Sequence, residues 1–366
     1  MTDGRLIINK DLSSADGLAI DEALCESVGA GHVPPTLHLY NYTPCVILGR
    51  YQNAAASLRL DRCHAHGVGV NRRISGGGTV FMTPGQMAFA LVLPNAFPGL
   101  PPSITGSFRF LAAAFARALS VFGLHAEFMG KNDLTVNERK IAGLAISQDF
   151  DGVTFFHTSL LLDFDVPLML DLLNLPTRHM LDRGISCFGE RMTTIRDESG
   201  KNISLHEVIE AVRSGVSEVL EIPLPVAELS LREQERIAEL KRLKYQNEEW
   251  IYHVRAPRRR TGFAQRKTPG GLIQAHLALS GGVIETIVIT GDYFSRGRDV
   301  AQIESVLRWT SPRREALEQA VAGIPATDLI HLVGLPVILD LIVEAAAASE
   351  KENGTASQAA PSPKTF

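Results

Sequence analysis

Arg72-Arg73-Ile74-Ser75-Gly76-Gly77-Gly78-Thr79-Val80 sets two guanidiniums against a triple glycine, with a β-forming run, Thr79, Val80 and Phe81, directly behind. Glycines let backbone N–H groups approach a ligand with no side chains in the way, and they open positive φ angles. A run of such amides forms an anion-binding concavity, and adjacent arginines can balance phosphate or carboxylate charge. The glycines alone read as a plain turn. The arginine pair and the strand behind it point instead to an anion loop.

A second group lies farther along. Gly130-Lys131-Asn132-Asp133-Leu134 precedes Glu138-Arg139-Lys140-Ile141-Ala142-Gly143, a spacing that suits a β-hairpin turning near Val136–Glu138. Lys140 begins the return strand, and Ala142 and Gly143 leave room for a ligand beside it. One lysine and one aspartate chosen blind are two of many solvated charges. The functional reading is a fixed ammonium beside an acidic metal ligand, both aimed at a nucleotide α-phosphate.

Around these groups the pattern alternates strands and helices. A helix is expected over 13–29, capped by Ser13 or Ser14, and strands over 36–40, 45–48, 89–93 and 158–162. Phe108, Leu111, Phe115, Leu119 and Phe122 recur at helical spacing over about 106–122. Composition changes at Ile222-Pro223-Leu224-Pro225, a charged helix follows over about 230–245, and Ser280-Gly281-Gly282 marks a hairpin between 272–279 and 283–289. Further helices fit 299–308 and 312–322. The expected organisation is a catalytic domain over 1–225, an α+β accessory domain over 230–345 and a disordered tail over 346–366, with hinge candidates at 222–230.

Composition bounds the rest. The 366 residues allow two domains, 45% hydrophobic and 21% charged content is that of a globular protein, and a net charge of −4 gives no field favouring nucleic acid or anionic membrane. Cys25, Cys45, Cys63 and Cys187 stand apart, with neither a CxxC nor a metal spacing. The N-terminus lacks a signal-peptide pattern, and the apolar segment Leu332–Val343 is broken by Gly334, Pro336 and Asp340. A reduced, cytoplasmic, monomeric protein is expected, with neither nucleic acid nor membrane as partner. The basic run at 255–260, with Arg266 and Lys267, reads either as a solvated face or as a surface that steers acidic partners.

Five stretches in one order carry a resemblance: Leu48-Gly49-Arg50-Tyr51-Gln52-Asn53, the arginine–glycine loop through Phe81, Lys131-Asn132-Asp133-Leu134, Arg139-Lys140-Ile141-Ala142-Gly143, and His157-Thr158-Ser159-Leu160-Leu161. Gly184-Ile185-Ser186 with Glu190-Arg191-Met192-Thr193 is similar to a segment closing the catalytic domain, and Trp250 and Gly291-Asp292-Tyr293-Phe294 to landmarks of a small C-terminal domain. In these the chain resembles the lipoate–protein ligases, within the wider group of biotin/lipoate ligases and octanoyltransferases. The resemblance implies an α+β fold, a mixed sheet with flanking helices of the class II aminoacyl-tRNA synthetase/biotinyl-ligase type, plus a small α+β accessory domain. It implies that lipoate, or octanoate, and ATP give an acyl-adenylate, whose acyl group passes to a lysine of a lipoyl-domain or H-protein-like acceptor.

The roles it implies are specific. Arg73 and the amides of Gly76, Gly77, Gly78, Thr79, Val80 and Phe81 would hold ATP. Arg72, Ser75 and His157 would meet lipoate, and Arg72 could instead meet phosphate. Lys140 would bridge the lipoate carboxylate and the α-phosphate, and Asp133 would hold Mg²⁺. Two departures stand out: Met82-Thr83-Pro84-Gly85-Gln86 replaces a His-Asp followed by Gly-Asn, and Thr158 replaces a glycine. Two alternatives remain open. One is a transferase using Cys187 and Lys140 without ATP; in the ligase-like transferases the cysteine falls near the positions of Asp149 and Asp151. The other is a degenerate fold that only binds lipoate or an acceptor.

Overall fold

The computed structural model describes residues 3–148, 150, 152–174, 191–253, 255–257, 259, 261–295, 297–324 and 329–357. Contacts divide the chain into two units, residues 1–253 and 254–366. The first unit contains β1 (Arg5–Ile8), β2 (Thr36–Tyr40), β3 (Cys45–Leu48), β4 (Gly69–Arg72), β5 (Val80–Met82), β6 (Gln86–Pro94), β7 (Ala126–Met129), β8 (Asp133–Val136), β9 (Arg139–Gly143), β10 (Ala145–Ser147) and β11 (Val153–Leu161). Its principal helices are α1 (Ser14–Gly29), α2 (Ile104–Ser120), α3 (Ile195–Ser199), α4 (Leu205–Leu220) and α5 (Leu231–Leu240).

The main sheet runs β1-β2-β6-β11-β9-β8-β7, with β10 on β11. β1 and β2 are parallel and the other ladders antiparallel, so the sheet is mixed. β6 is its axis, and Met87–Leu93 is buried throughout because both faces are covered. Ala88, Ala90 and Val92 share a core with α1, while Phe89 on the opposite face meets Phe115 of α2 at 5.0 Å between ring centroids. Ser13 caps α1 as expected, accepting the Asp16 N–H at 3.1 Å. A smaller sheet, β4-β3-β5, frames the glycine loop: β4 lies parallel to β3 on one side and β5 antiparallel on the other.

The first unit extends past the expected boundary at 225. The stretch expected to be a hinge is laid along β1: Gly4 N–H donates to the Pro223 carbonyl (3.0 Å), Leu6 N–H to Pro225 (2.8 Å) and Ala227 N–H to Leu6 (2.8 Å). Arg5 then grips α5. Its Nη1 donates to Glu233 Oε2 at 3.2 Å, Nη2 pairs with Oε1, and the same carboxylate completes a capping box on Ser230. Trp250, expected as a landmark of the accessory domain, therefore belongs to the first unit.

The second unit holds β12 (Gly262–Thr268), β13 (Gly271–Ser280) and β14 (Val283–Gly291), all antiparallel. Gly281 (φ 59°) and Gly282 (φ 79°) make the expected hairpin turn. The helix Leu335–Ser357 runs through the start of the expected tail, because Ala345, Ala346 and Ser349 are buried; residues 358–366 lie outside the described ones. Among the described residues no helix is long and apolar enough to cross a membrane.

Arg5 and Glu233 are 8% and 1% exposed at their side chains, so breaking the pair strands a buried charge. Glu233→Ala is expected to lower stability by about 3–5 kcal/mol in urea unfolding. Replacing both residues by apolar ones should recover most of that loss.

Candidate active site

The glycine loop has its carbonyls turned inward and its amides left over. Arg73, 4% exposed, donates from Nη2 to the carbonyls of Gly76 and Gly78 (2.7 Å each), from Nη1 to Ile47 (3.2 Å), and from Nε to Gly76 and the Ser75 hydroxyl (3.2 Å each). Burial lowers its pKa to about 10, with Arg72 adding to the effect and Tyr42 opposing it, so it stays charged at neutral pH. Among the described residues the N–H groups of Gly76, Gly77, Gly78 and Thr79 have no acceptor. Gly76 and Gly77 are buried and Gly78 and Thr79 half-buried; buried amides without partners are rare and mark a place for a ligand acceptor. Gly77 has φ 90°, and its carbonyl oxygen would lie 2.0 Å from a Cβ on Gly49, so the loop is seated where only glycine fits.

Arg72 is placed elsewhere than expected. Its guanidinium donates to the carbonyls of Gly49 (3.0 Å), Arg50 (3.3 Å), Gln52 (2.6 Å), Trp250 (3.0 Å), Ile251 (3.1 Å) and His253 (3.3 Å). A charge that is 2% exposed needs such partners, and they occupy the donors expected to meet the lipoate carboxylate or a phosphate. Trp250 answers by donating Nε1–H to the Arg72 carbonyl at 2.9 Å.

The second half is the β8–β9 hairpin. Asn137 (φ 50°) and Glu138 (φ 62°) form its tight turn where the sequence placed it. The register slips by one residue, pairing Leu134 with Ala142 and Thr135 with Lys140, so Ile141 is a bulge that re-aims its neighbours. Lys140 Nζ lies 2.6 Å from Asp133 Oδ1, and both side chains are 36% exposed. A Cβ on Gly143 would stand 3.0 Å from that ammonium, so the space beside Gly143 is filled by Lys140 itself. Among the described residues no cluster of three or more metal-ligating side chains occurs. One half-exposed carboxylate still fits Mg²⁺, which takes one or two carboxylates and draws its other ligands from phosphate and water.

Consecutive residues of β11 join the halves. His157 is hydrogen-bonded through Nε2 to the Ser75 hydroxyl, and Thr158 Oγ1 donates to the Gly143 carbonyl at 3.0 Å. The Ser75 oxygen already accepts from Arg73, so its own proton can go to His157. Burial, helped by Arg73, holds His157 well below the usual histidine range and therefore neutral. Thr158, one of the two departures, thus ties β11 to β9. At the other, Met82 is buried in the core, and the Gln86 side-chain amide donates to the Phe81 carbonyl at 3.1 Å.

Two residues with structural reach at the site went unassigned in the sequence. Gln52 Oε1 accepts from Gly49 N–H and from the Thr79 hydroxyl, both at 2.9 Å, linking the two glycine turns; its place in the Leu48–Asn53 stretch was the only signal. Glu198 binds Asn137, Arg139 and Thr193 and had no signal at all. Burial raises the pKa of its carboxyl, but the bonds from Thr193, Asn137 and Arg139 outweigh that and hold it below the usual range. The thiols of Cys25, Cys45 and Cys63 are buried and pushed up by that burial. Cys187, Asp149, Asp151, Gly184, Ser186 and Glu190 lie outside the described residues, as do Arg258 and Arg260. Within the second unit, Arg255 pairs with Glu304, Arg266 with Glu344 and Lys267 with Asp292, which reduces the expected basic face.

Since His157 is neutral when folded, the unfolded chain takes up a proton more readily below about pH 6.5. Stability should therefore fall as pH drops through that region, by up to about 1.4 kcal/mol per pH unit. Urea unfolding between pH 8 and 5 should show a smaller acid loss in His157→Gln than in the wild type.

Residues 13–217 match the family described as "Lipoyl protein ligase A/B catalytic domain", and residues 263–342 match "Bacterial lipoate protein ligase C-terminus". Octanoyltransferase LipM of Brevibacillus brevis is 29% identical over 274 residues, covering 68% of this chain and 99% of its own. Lipoate-protein ligase LplJ of Bacillus subtilis is 26% identical over 307 residues, covering 84% of this chain and 90% of its own. Among solved structures, the bipartite lipoate protein ligase of Thermoplasma acidophilum, from work that includes its E2 lipoyl domain, superposes with a TM-score of 0.62 at 29% identity, over 69% of this chain and 97% of that one. A lipoate-protein ligase A bound with ATP gives 0.60 at 28%, over 69% and 99%. These likenesses agree with the mixed sheet and its flanking helices, and the chain belongs to the lipoyl protein ligase A/B family.

Proposed function

We propose that this chain is an ATP-dependent lipoate–protein ligase. The observation that carries the choice over a transferase is the C-terminal match at 263–342. The relative named octanoyltransferase is used up over 68% of this chain, whereas the relative named ligase reaches 84%. Cysteine chemistry narrows the transferase reading to one residue. A transferase that holds the acyl group on sulfur needs an accessible thiolate, and three of the four cysteines are buried with raised pKa values. Only Cys187 is left for that role.

In the proposed reaction the lipoate carboxylate attacks the α-phosphorus of ATP, the bond to pyrophosphate breaks, and lipoyl-adenylate forms. The acceptor's lysine amine then attacks the acyl carbon and AMP leaves. The attacking groups come from the substrates, so the protein's work is positioning and charge stabilisation. The unpartnered amides of Gly76, Gly77, Gly78 and Thr79 would accept phosphate oxygens, and Arg73 keeps them presented by restraining the loop carbonyls. Lys140 would turn part of its hydrogen bonding from Asp133 to the carboxylate and α-phosphate. Asp133 would hold the Mg²⁺ that accompanies ATP and neutralises phosphate charge. Ser75 and neutral His157, linked to each other, would line the lipoate side without adding charge there. Arg72 would support the loop rather than touch substrate.

Intact mass of a lipoyl acceptor domain after incubation with this protein, lipoate and Mg²⁺ tests the reading. A lipoyl adduct is expected only with ATP, about 10²–10³ slower with Lys140→Ala and unchanged with Cys187→Ala. Modification from an octanoyl carrier protein without ATP, abolished by Cys187→Ala, would establish the transferase instead.

A further inference from the structure

Glu198 sits on α3, a single turn capped by Thr194, whose hydroxyl accepts the Asp197 N–H at 3.0 Å. Its carboxylate is 3% exposed and fully engaged. Asn137 Nδ2 donates to Oε2 at 2.7 Å, Thr193 Oγ1 to Oε1 at 2.7 Å, and Arg139 Nη2 to Oε1 at 2.5 Å. All three partners bracket Lys140. Asn137 opens the turn, Arg139 precedes the lysine, and Thr193 gives its N–H to the Lys140 carbonyl at 2.9 Å.

At this end β7 pairs with β8, Ala126 opposite Val136 and Glu127 opposite Thr135, while β9 is held on its other side by the bridge of Lys140 to Met192. β8 and β9 lie toward the β7 edge of the main sheet, and β9 meets β11 in register at Leu160 and Ala142, beyond Lys140. The β9 side near Lys140, out of register contact with β11, is the part of the hairpin freer to open. A buried carboxylate that ties the turn, the residue before the lysine and the strand behind it removes that freedom.

We propose that Glu198 is a positioning residue, fixing the 137–140 backbone and so the point from which the Lys140 ammonium reaches the reacting carboxylate and α-phosphate. The identity of the reacting atoms rests on the ligase reading above; the placement of the ammonium does not. Misplacing a reacting group by about 1 Å can cost about 10²-fold in rate without weakening ground-state binding.

Full-length wild type, Glu198→Ala and Glu198→Gln are compared by two readouts. The first is single-turnover formation of acyl-adenylate across lipoate concentrations. The second is the rate at which an amine-acylating reagent labels Lys140, read by peptide mass. Glu198→Ala should lower the limiting adenylation rate about 10- to 100-fold, with half-saturating lipoate within about twofold of wild type. Glu198→Gln, which keeps an oxygen for Thr193, should fall between. Labelling of Lys140 should rise several-fold in the alanine variant while other lysines keep their rates. An unchanged limiting rate in an active enzyme, a loss confined to lipoate affinity, or unchanged Lys140 labelling overturns the assignment. If circular dichroism shows the alanine variant unfolded, the glutamine variant decides on the same criteria. No adenylate from wild type contradicts the ligase reading alone, and the labelling result still decides the role of Glu198.

Discussion

Two adjacent buried guanidiniums have to be satisfied, and the arrangement of the site follows from how they are. A buried charge without partners is too costly to keep, so Arg72 and Arg73 draw in backbone carbonyls from four separate stretches of chain. Arg73 takes those of Ile47, Gly76 and Gly78. Arg72 takes those of the 49–52 turn and of 250–253. A loop whose Gly76 and Gly78 oxygens are held by Arg73 leaves its N–H groups for something else. An electropositive concavity thus results from a structural need, and an anion is its natural complement.

That constraint also orders the rest of the first unit. Holding 250–253 against the glycine loop requires α5 and the turns after it to stay with the sheet, to which Arg5–Glu233, Arg236–Glu26 and Lys244–Glu22 all contribute. β11 then transmits position from one half of the site to the other, His157 toward Ser75 and Thr158 toward Gly143. Charge on the hairpin side is balanced locally, Lys140 against Asp133 and Arg139 against Glu198, so the ammonium is poised without being buried. Such preorganisation is what a reaction with substrate-borne nucleophiles asks of its enzyme.

Local chemistry was the legible part of the sequence. The cap at Ser13, the turn at Asn137–Glu138, the 281–282 hairpin and the apolar stripe Phe108–Leu119 rest on short-range rules, and they were readable. The partners of Arg72 are not legible, because pattern does not separate a ligand-facing charge from one bonded to distant carbonyls such as Trp250 and His253. The boundary past 225 is hidden for a related reason. Pro223 and Pro225 look like a linker, yet their carbonyls complete the edge of β1. The helix from Leu335 is hidden because Gly334, Pro336 and Asp340 interrupt its apolar half, and its Ala- and Ser-rich half reads as a tail. Glu198 carries no local signal, since its three partners lie at 137, 139 and 193 and converge only in the fold.

The balance between ligase and transferase turns on whether the amide loop and Lys140 face a nucleotide phosphate. Isotope exchange between pyrophosphate and ATP reports that step alone, with no acceptor protein needed. Lipoate-dependent exchange by the wild-type chain, absent without lipoate, is the expected result. No exchange under conditions where the protein is folded and binds lipoate would contradict the central claim.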